Sequence, residues 1–240
     1  MSADPQPPTR NPNRLDRMQK LRAHSLTVSL DGYMAGPSQS LDHPLGVGGE
    51  RLHDWAFATR TFRKVHGMEG GDEGVDDEWA SRGDVGIGAT IMGRNMFGPI
   101  RGPWGDDEWR GWWGEDPPFH HPVFVLTHYA REPLAMEGGT TFHFVTDGIE
   151  AALQRGREAA GGLDVRLGGG AATIGGFLRA GLVDELHVAI VSILLGSGER
   201  LFEDASAGLA DLYECVEHAG SATVMHALVI RRRGAEGGAA

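Results

Sequence analysis

The sequence predicts an α/β protein, a single domain built on a mostly parallel sheet flanked by helices and closed by a C-terminal antiparallel hairpin. Two observations carry that expectation. Apolar, β-branched runs alternate with stretches at helical spacing, the pattern of parallel strands covered on both faces. The last two such runs, 212–218 and 221–231, are separated only by a short connection at Ala219 and Gly220, which suits a hairpin.

Composition narrows what the domain can do. At 240 residues and 40% apolar content the chain can bury a full core. Its net charge of −11 repels nucleic acid and anionic membranes, so an anionic ligand must be held by a local cradle. No run approaches the ~20 apolar residues of a membrane span, and the first residues lack the apolar stretch of a secretory signal, which predicts a cytoplasmic protein. Cys215 is the only cysteine, so neither an intrachain disulfide nor a cysteine-based zinc site is open to it; a small core or strand residue is expected.

Residues 1–20, rich in Pro, Asn, Asp and Arg, read as a disordered arm, and 233–240 as a disordered tail. The domain between them starts with a strand over 21–30 that ends at the turn signal Asp31-Gly32, followed by a mobile loop from Tyr33 through Gly49. From Glu50 the spacing is helical: Leu52, Trp55, Ala56, Thr59 and Phe62 share one face, with Asp54, Phe57, Ala58 and Thr61 on the adjoining one. An exposed acidic insertion over 67–77 leads to a short helix at 77–81 and a buried strand over 84–92. The segment 99–118 carries Trp104, Trp109, Trp112 and Trp113, indoles that predict an ordered lid or an oligomer contact, and hence a homodimer. Strands follow at 122–126 and 141–146, then a helix over 148–160 with Asp147 as its N-cap.

The stretch 164–195 organises the rest. A short strand runs into Gly168, Gly169 and Gly170, then a helix start at Ala171, Ala172 and Thr173, then a long apolar strand. Backbone without Cβ atoms lets a ligand come close, and the free amides of a helix start favour an anion. On these glycines alone, a phosphate-binding turn and a merely tight strand-to-helix connection are equally good accounts. Gly93-Arg94-Asn95, after the strand 84–92, repeats the same logic.

Four segments carry a resemblance: SLDGYMAG (29–36), IMGRNMFG (91–98), PVFVLTH (122–128) and RLGGGAATIGGFLRAGLVDELHVAIVSILLGSGERLF (166–202). In content and order they resemble the dihydrofolate reductase superfamily, most closely the bacterial dihydrofolate-reductase-like proteins that share the reductase domain of bifunctional riboflavin-biosynthesis enzymes. The resemblance implies a dihydrofolate reductase-like domain over 21–232, an eight-stranded sheet, and NADPH lying across the strand ends. It implies hydride transfer to a small substrate, a pterin- or riboflavin-precursor-like heterocycle or a carbonyl compound. By the same resemblance Gly168, Gly169, Gly170, Ala171, Ala172 and Thr173 meet the pyrophosphate, and Gly93, Arg94 and Asn95 the phosphates on the adenosine side. Thr127 and His128 border the 2′-phosphate, and the Arg94 guanidinium favours NADPH over NADH. Met34, Ala35 and Gly36 close over the nicotinamide, with Trp55 and Phe57 beside the substrate.

Catalytic candidates are thinner. Dihydrofolate reductases carry a carboxylate on the helix after the first strand; Asp54 is the one acid in that helix's central turns, and a solvated helix acid explains it better than a pterin anchor does. Asp31 either orients substrate or forms the turn before Gly32. His120, His121, His128 and His143 lack metal-ligand spacing, so no metal is expected. Asp184 and Glu185 suit a helix end, and no Gly-x-Ser-x-Gly elbow argues for hydrolysis. The alternative from another class is a homologue that kept the nucleotide-binding or interaction surface and lost turnover.

Overall fold

The computed structural model describes residues 18–98, 102–105, 109–202, 208–232 and 234. In chain order the elements are β1 (Leu21–Ser29), β2 (Tyr33–Ala35), a 3-10 turn (Gly49–His53), α1 (Asp54–Ala58), α2 (Arg60–Val65), α3 (Val75–Ser81), β3 (Ile87–Gly93) and α4 (Arg94–Phe97). They continue as β4 (Pro122–Leu126), β5 (Leu134–Ala135), β6 (Thr141–Val145), α5 (Ile149–Ala159), β7 (Asp164–Leu167), α6 (Ala171–Arg179) and β8 (Glu185–Val191). The last are β9 (Glu199–Arg200), α7 (Leu209–Leu212), β10 (Tyr213–Gly220) and β11 (Val224–Arg231).

The main sheet runs β10-β11-β8-β1-β7-β3-β4-β6-β5. Strands β8, β1, β7, β3, β4 and β6 are parallel, and the hairpin β10–β11 adds on antiparallel through β8. Two-residue β5 lies antiparallel on the opposite edge, so the eight expected strands gain one short border strand.

Alternation along β8 shows both faces covered. Leu186, Val188 and Ile190 join the cluster under α5 and α6, with Ile174, Phe177 and Leu153. Ala189 and Val191 point the other way, to Trp55. Under β3, β4 and β6 that second face is covered by the tryptophan-rich segment: Trp104, Trp109 and Trp113 pack on Met92, Phe97, Val123, Val125 and Phe142. The indoles are therefore half-buried parts of a core layer rather than exposed, though 99–101 and 106–108 lie outside the described residues.

Several local expectations change. Leu52, Trp55 and Thr59 are buried as their spacing requires, but the helix breaks at Thr59, whose extended backbone (φ −67°, ψ 149°) lets its side chain accept from Phe62 N at 3.1 Å and start α2. The loop after β1 contains a strand, β2, pinned to β9. Gly148, not Asp147, occupies the N-cap of α5; Asp147 pairs with Arg155 instead. Cys215 lies in β10 but is exposed. Of the expected arm, residues 1–17 lie outside the described residues, while Gln19 is tied to Arg157 O and Leu163 O at 3.0 and 2.6 Å. The expected tail lies outside them too, save Gly234. No helix among the described residues is long and apolar enough to cross a membrane.

At the start of β1, Glu185 accepts from Lys20 Nζ at 3.0 Å and Arg22 Nε at 3.1 Å, and sits 2.6 Å from His24 Nε2. The hydrogen bond to His24, then those cations, hold its carboxyl well below the usual carboxylate range. A depressed carboxylate stabilises above its unfolded value and loses that stabilisation as pH falls. Glu185→Gln should therefore cost about 2 kcal/mol at neutral pH, the half-exposed Lys20 contact counting for little. Urea titrations should show the two proteins converging as pH drops below the ordinary glutamate value of 4.5.

Candidate functional site

The ends of β3 and β7 are laced together. Gly168 N donates to Ile91 O at 2.7 Å and Gly93 N to Gly169 O at 3.1 Å. Close contact favours glycine: a Cβ on Gly93 would fall 2.2 Å from Thr173 Oγ1, and Cβ atoms on Gly168 and Gly169 would press on Met96 Sδ at 3.0 and 3.1 Å, so that side chain would have to give. The amides heading α6 thus lie beside the start of α4.

Two cavities open at these strand ends, of about 400 and 490 Å³. Gly168, Gly169 and Ala171 line the first; Gly93, Arg94, Thr127, His128, Ala172 and Thr173 line the second; Asn95, Gly170 and Glu199 line both. Every residue expected at the cofactor therefore borders one continuous groove. In the second cavity the Arg94 guanidinium lies over Trp104, 3.0 Å from the ring centre, with Nη1 3.4 Å from Thr127 Oγ1. Arg131, which the sequence did not single out, approaches the same indole at 4.8 Å, and its Nη1 is buried with no hydrogen-bond partner among the described residues.

The substrate-side expectations divide. Met34, Ala35 and Phe57 line the first cavity. Gly36 does not; it packs against the backbone of Gly46 and Val47. Trp55 is buried behind the wall, donating from Nε1 to Thr27 Oγ1 at 3.1 Å. Neither catalytic carboxylate reaches the site. Asp54 is exposed and lines neither cavity, because the 3-10 turn before α1 gives the inward position to His53. Asp31 closes its own turn, accepting from Ser29 Oγ at 2.6 Å, Gly196 N at 2.7 Å and Leu195 N at 3.1 Å, bonds that lower its pKa to about 2.

Gln39 and His53 line the first cavity and were missed, while Trp112, from the segment expected to be a lid or an oligomer contact, lines it too. His53 had a signal, since it lies i, i+4 from Phe57 and stacks on it at 6.0 Å. Burial pushes its pKa down to about 4, so the ring is neutral at pH 7. Of the other histidines, His121 bonds Thr90 Oγ1 at 2.8 Å and His143 stacks on Phe124.

The floor of the first cavity is a β-bulge. In β1 the pairing steps from Ala23↔Leu186 to Leu26↔Val188, so His24 and Ser25 together oppose His187. Ser25 has φ 55°, and its amide donates to His187 Nδ1 at 3.1 Å in place of a ladder carbonyl. That donor fixes the rest of a buried chain by elimination: His187 Nε2–H donates to His226 Nδ1 at 3.0 Å, and His226 Nε2–H to Asp76 Oδ1 at 2.8 Å. Trp79 lies parallel to His226, 9° off plane at 5.3 Å. Ser25, Leu26 and Thr27 thereby face the cavity.

The fold and cleft define a mixed α/β protein whose candidate site lies beyond the carboxyl ends of its parallel strands. The chain belongs to the RibD C-terminal domain family, whose model matches residues 23–219. A Shewanella sp. PV-4 structure assigned by its name to riboflavin biosynthesis is similar at 21% identity, TM-score 0.50, over 89% of this chain and 97% of that one. A Thermotoga maritima diaminohydroxyphosphoribosylaminopyrimidine deaminase/5-amino-6-(5-phosphoribosylamino)uracil reductase is similar at 13% identity, TM-score 0.51, over 89% of this chain and 57% of that one. At these identities the likeness speaks for the fold alone. No curated protein matches the chain in sequence.

Burial lowers the His187 pKa to about 3, so between there and 6.5 the unfolded chain takes up a proton that the folded one refuses. Wild-type stability should fall on acidification through that window. His187→Ala, which leaves a void and orphans the Ser25 amide, should cost about 3 kcal/mol at pH 7.5 and flatten the pH dependence, as read by urea unfolding.

Proposed function

We propose that this protein is an NADPH-dependent reductase that transfers a hydride to a small heterocyclic or carbonyl compound. The observation that supports it best is the single groove formed by Gly93–Asn95, Thr127, His128 and Gly168–Thr173, segments from three strand ends. The cradle fits a dinucleotide: Cβ-free backbone stands where a diphosphate would approach, the α6 amides face it, and Arg94 with Arg131 supplies positive charge at the far end of an acidic protein. NADPH would supply the hydride. The chain would anchor the phosphates, place the reacting ring over the Ser25–Thr27 floor, and exclude water with Met34, Phe57, Met96 and Trp112.

One observation favours a second reading, a homologue that binds the nucleotide without turning it over: Asp31 and Asp54 both miss the cavity. Steady NADPH consumption with any member of a pterin, flavin-precursor and quinone panel would exclude it.

NADPH at 100 times its dissociation constant should stabilise the protein by about 2.7 kcal/mol, visible as a raised Tm. No shift with NADPH or NADH would remove the cofactor from this reading. Arg94→Ala should weaken NADPH at least about tenfold while changing NADH less. Equal loss for both would assign Arg94 to the pyrophosphate or to its stack on Trp104.

A further inference from the structure

We propose that Asp76 on α3, which lines neither cavity, is a positioning residue for the first one: through His226 and His187 its carboxylate holds the β1 bulge that sets the floor at Ser25, Leu26 and Thr27. That a nicotinamide ring lies over this floor rests on the reductase reading above. That Asp76 sets the floor rests on the hydrogen-bond chain.

The bulge does not support itself. Ser25 carries a Cβ at φ 55°, in the left-handed region, and its amide has left the strand ladder, so its conformation depends on what accepts that amide. The step also decides faces, because a slip of one residue in a strand turns every later side chain over. With the bulge in place Leu26 joins the cluster under α5 and α6, while Thr27 accepts the Trp55 indole N–H at 3.1 Å on the other face. Without it the two would exchange faces, and the floor would be a different surface.

The acceptor on His187 is set from outside. His187 and His226 are 0 and 1% exposed, and Trp79 packs 4.8 and 5.3 Å from their rings, so bulk solvent reaches neither. Donors and acceptors must then match along the line. The Ser25 amide only donates, the carboxylate only accepts, and each ring between them keeps its proton on Nε2. Asp76, its side chain 25% exposed, is the solvent-side end. Its charge polarises His226 and through it His187, which makes His187 Nδ1 the stronger acceptor for the strained amide. The neighbouring carboxylate, Asp77, turns to Thr61 N at 2.7 Å, so α3 has a second anchor separate from this chain.

Amide hydrogen exchange on the full chain reads the bulge directly, with Ser25 measured against the core amides of β3 so that a change in global stability cancels. Asp76→Leu, close in shape but with no acceptor, should speed Ser25 exchange at least about tenfold on that scale. Asp76→Asn, which keeps a neutral acceptor, should fall between it and the wild type. Asp77→Ala should lower Tm and leave Ser25 protected. Histidine 15N shifts of the wild type should show Nδ1 unprotonated on both rings. Asp76→Leu should also weaken NADPH at least about fivefold and leave adenosine 2′,5′-bisphosphate, which has no nicotinamide half to reach the floor, unchanged.

The inference is overturned if Asp76→Leu leaves Ser25 protected, if Asp77→Ala exposes it equally, if either wild-type ring is protonated on Nδ1, or if the two ligands weaken alike or not at all. Should Asp76→Leu fail to fold, Asp76→Asn decides, and wild-type exchange at Ser25 in that variant overturns the inference. If NADPH gives the wild type no Tm shift, the reductase reading fails by itself, and Ser25 exchange still decides the role of Asp76.

Discussion

The structure turns on one amide. Ser25 N leaves the β1–β8 ladder and donates to an imidazole instead, which costs the sheet a ladder bond but bends β1 where it passes under the cavity. A buried amide without a partner is expensive, so the bulge persists only while His187 accepts. His187 is oriented by His226, and His226 by Asp76 on α3. A helix remote in sequence from the cavity thereby fixes its floor through three side chains. Trp79 and Trp55 close around the imidazoles, and Trp55 also bonds Thr27, so the same packing that keeps the chain dry sets the next floor residue.

The acidic character of the chain makes sense beside this geometry. A net charge of −11 would exclude a dinucleotide from a featureless surface. Backbone amides and two guanidiniums on one indole make a local exception without altering the whole. Stacking on Trp104 also holds Arg94 in place, which reduces the side-chain freedom lost when an anion arrives.

How much of this could be read beforehand depended on what kind of residue carried the information. The glycine turns were legible because Gly93, Gly168 and Gly169 stand in close quarters with Thr173 and Met96, where a small residue is favoured, and the strands were legible from β-branched runs. Asp54, suggested only by the resemblance, is exposed as a solvated helix acid would be; its register could not be counted from Glu50, because the 3-10 turn over Gly49–His53 advances the chain by a different angle per residue than an α-helix. The histidine chain was invisible: His187 and His226 sit 39 residues apart, join only through strand pairing, and look in sequence like polar interruptions of apolar strands. The tryptophan-rich segment was legible as important but not as a layer, since nothing local says that β3, β4 and β6 lack a helix on that face.

The two cavities draw on different parts of the chain. Strand-end glycines form one part of the wall, where a Cβ on Gly93 would fall 2.2 Å from Thr173 Oγ1. Much of the rest of the first cavity is made by Gln39, Pro44 and Leu45 from the loop between β2 and α1, and by Trp112 and Trp113 from the segment between α4 and β4. Loops accept substitution and insertion without disturbing the sheet. Trp113, however, also packs into the core layer on Phe142, 6.0 Å between rings, so this loop is anchored by the fold it decorates. Changes at Gln39 and Trp112 therefore reshape the cavity wall while leaving the strand-end glycines in place. Conversely, a change at Trp113 reaches stability and ligand together, since the same indole belongs to both.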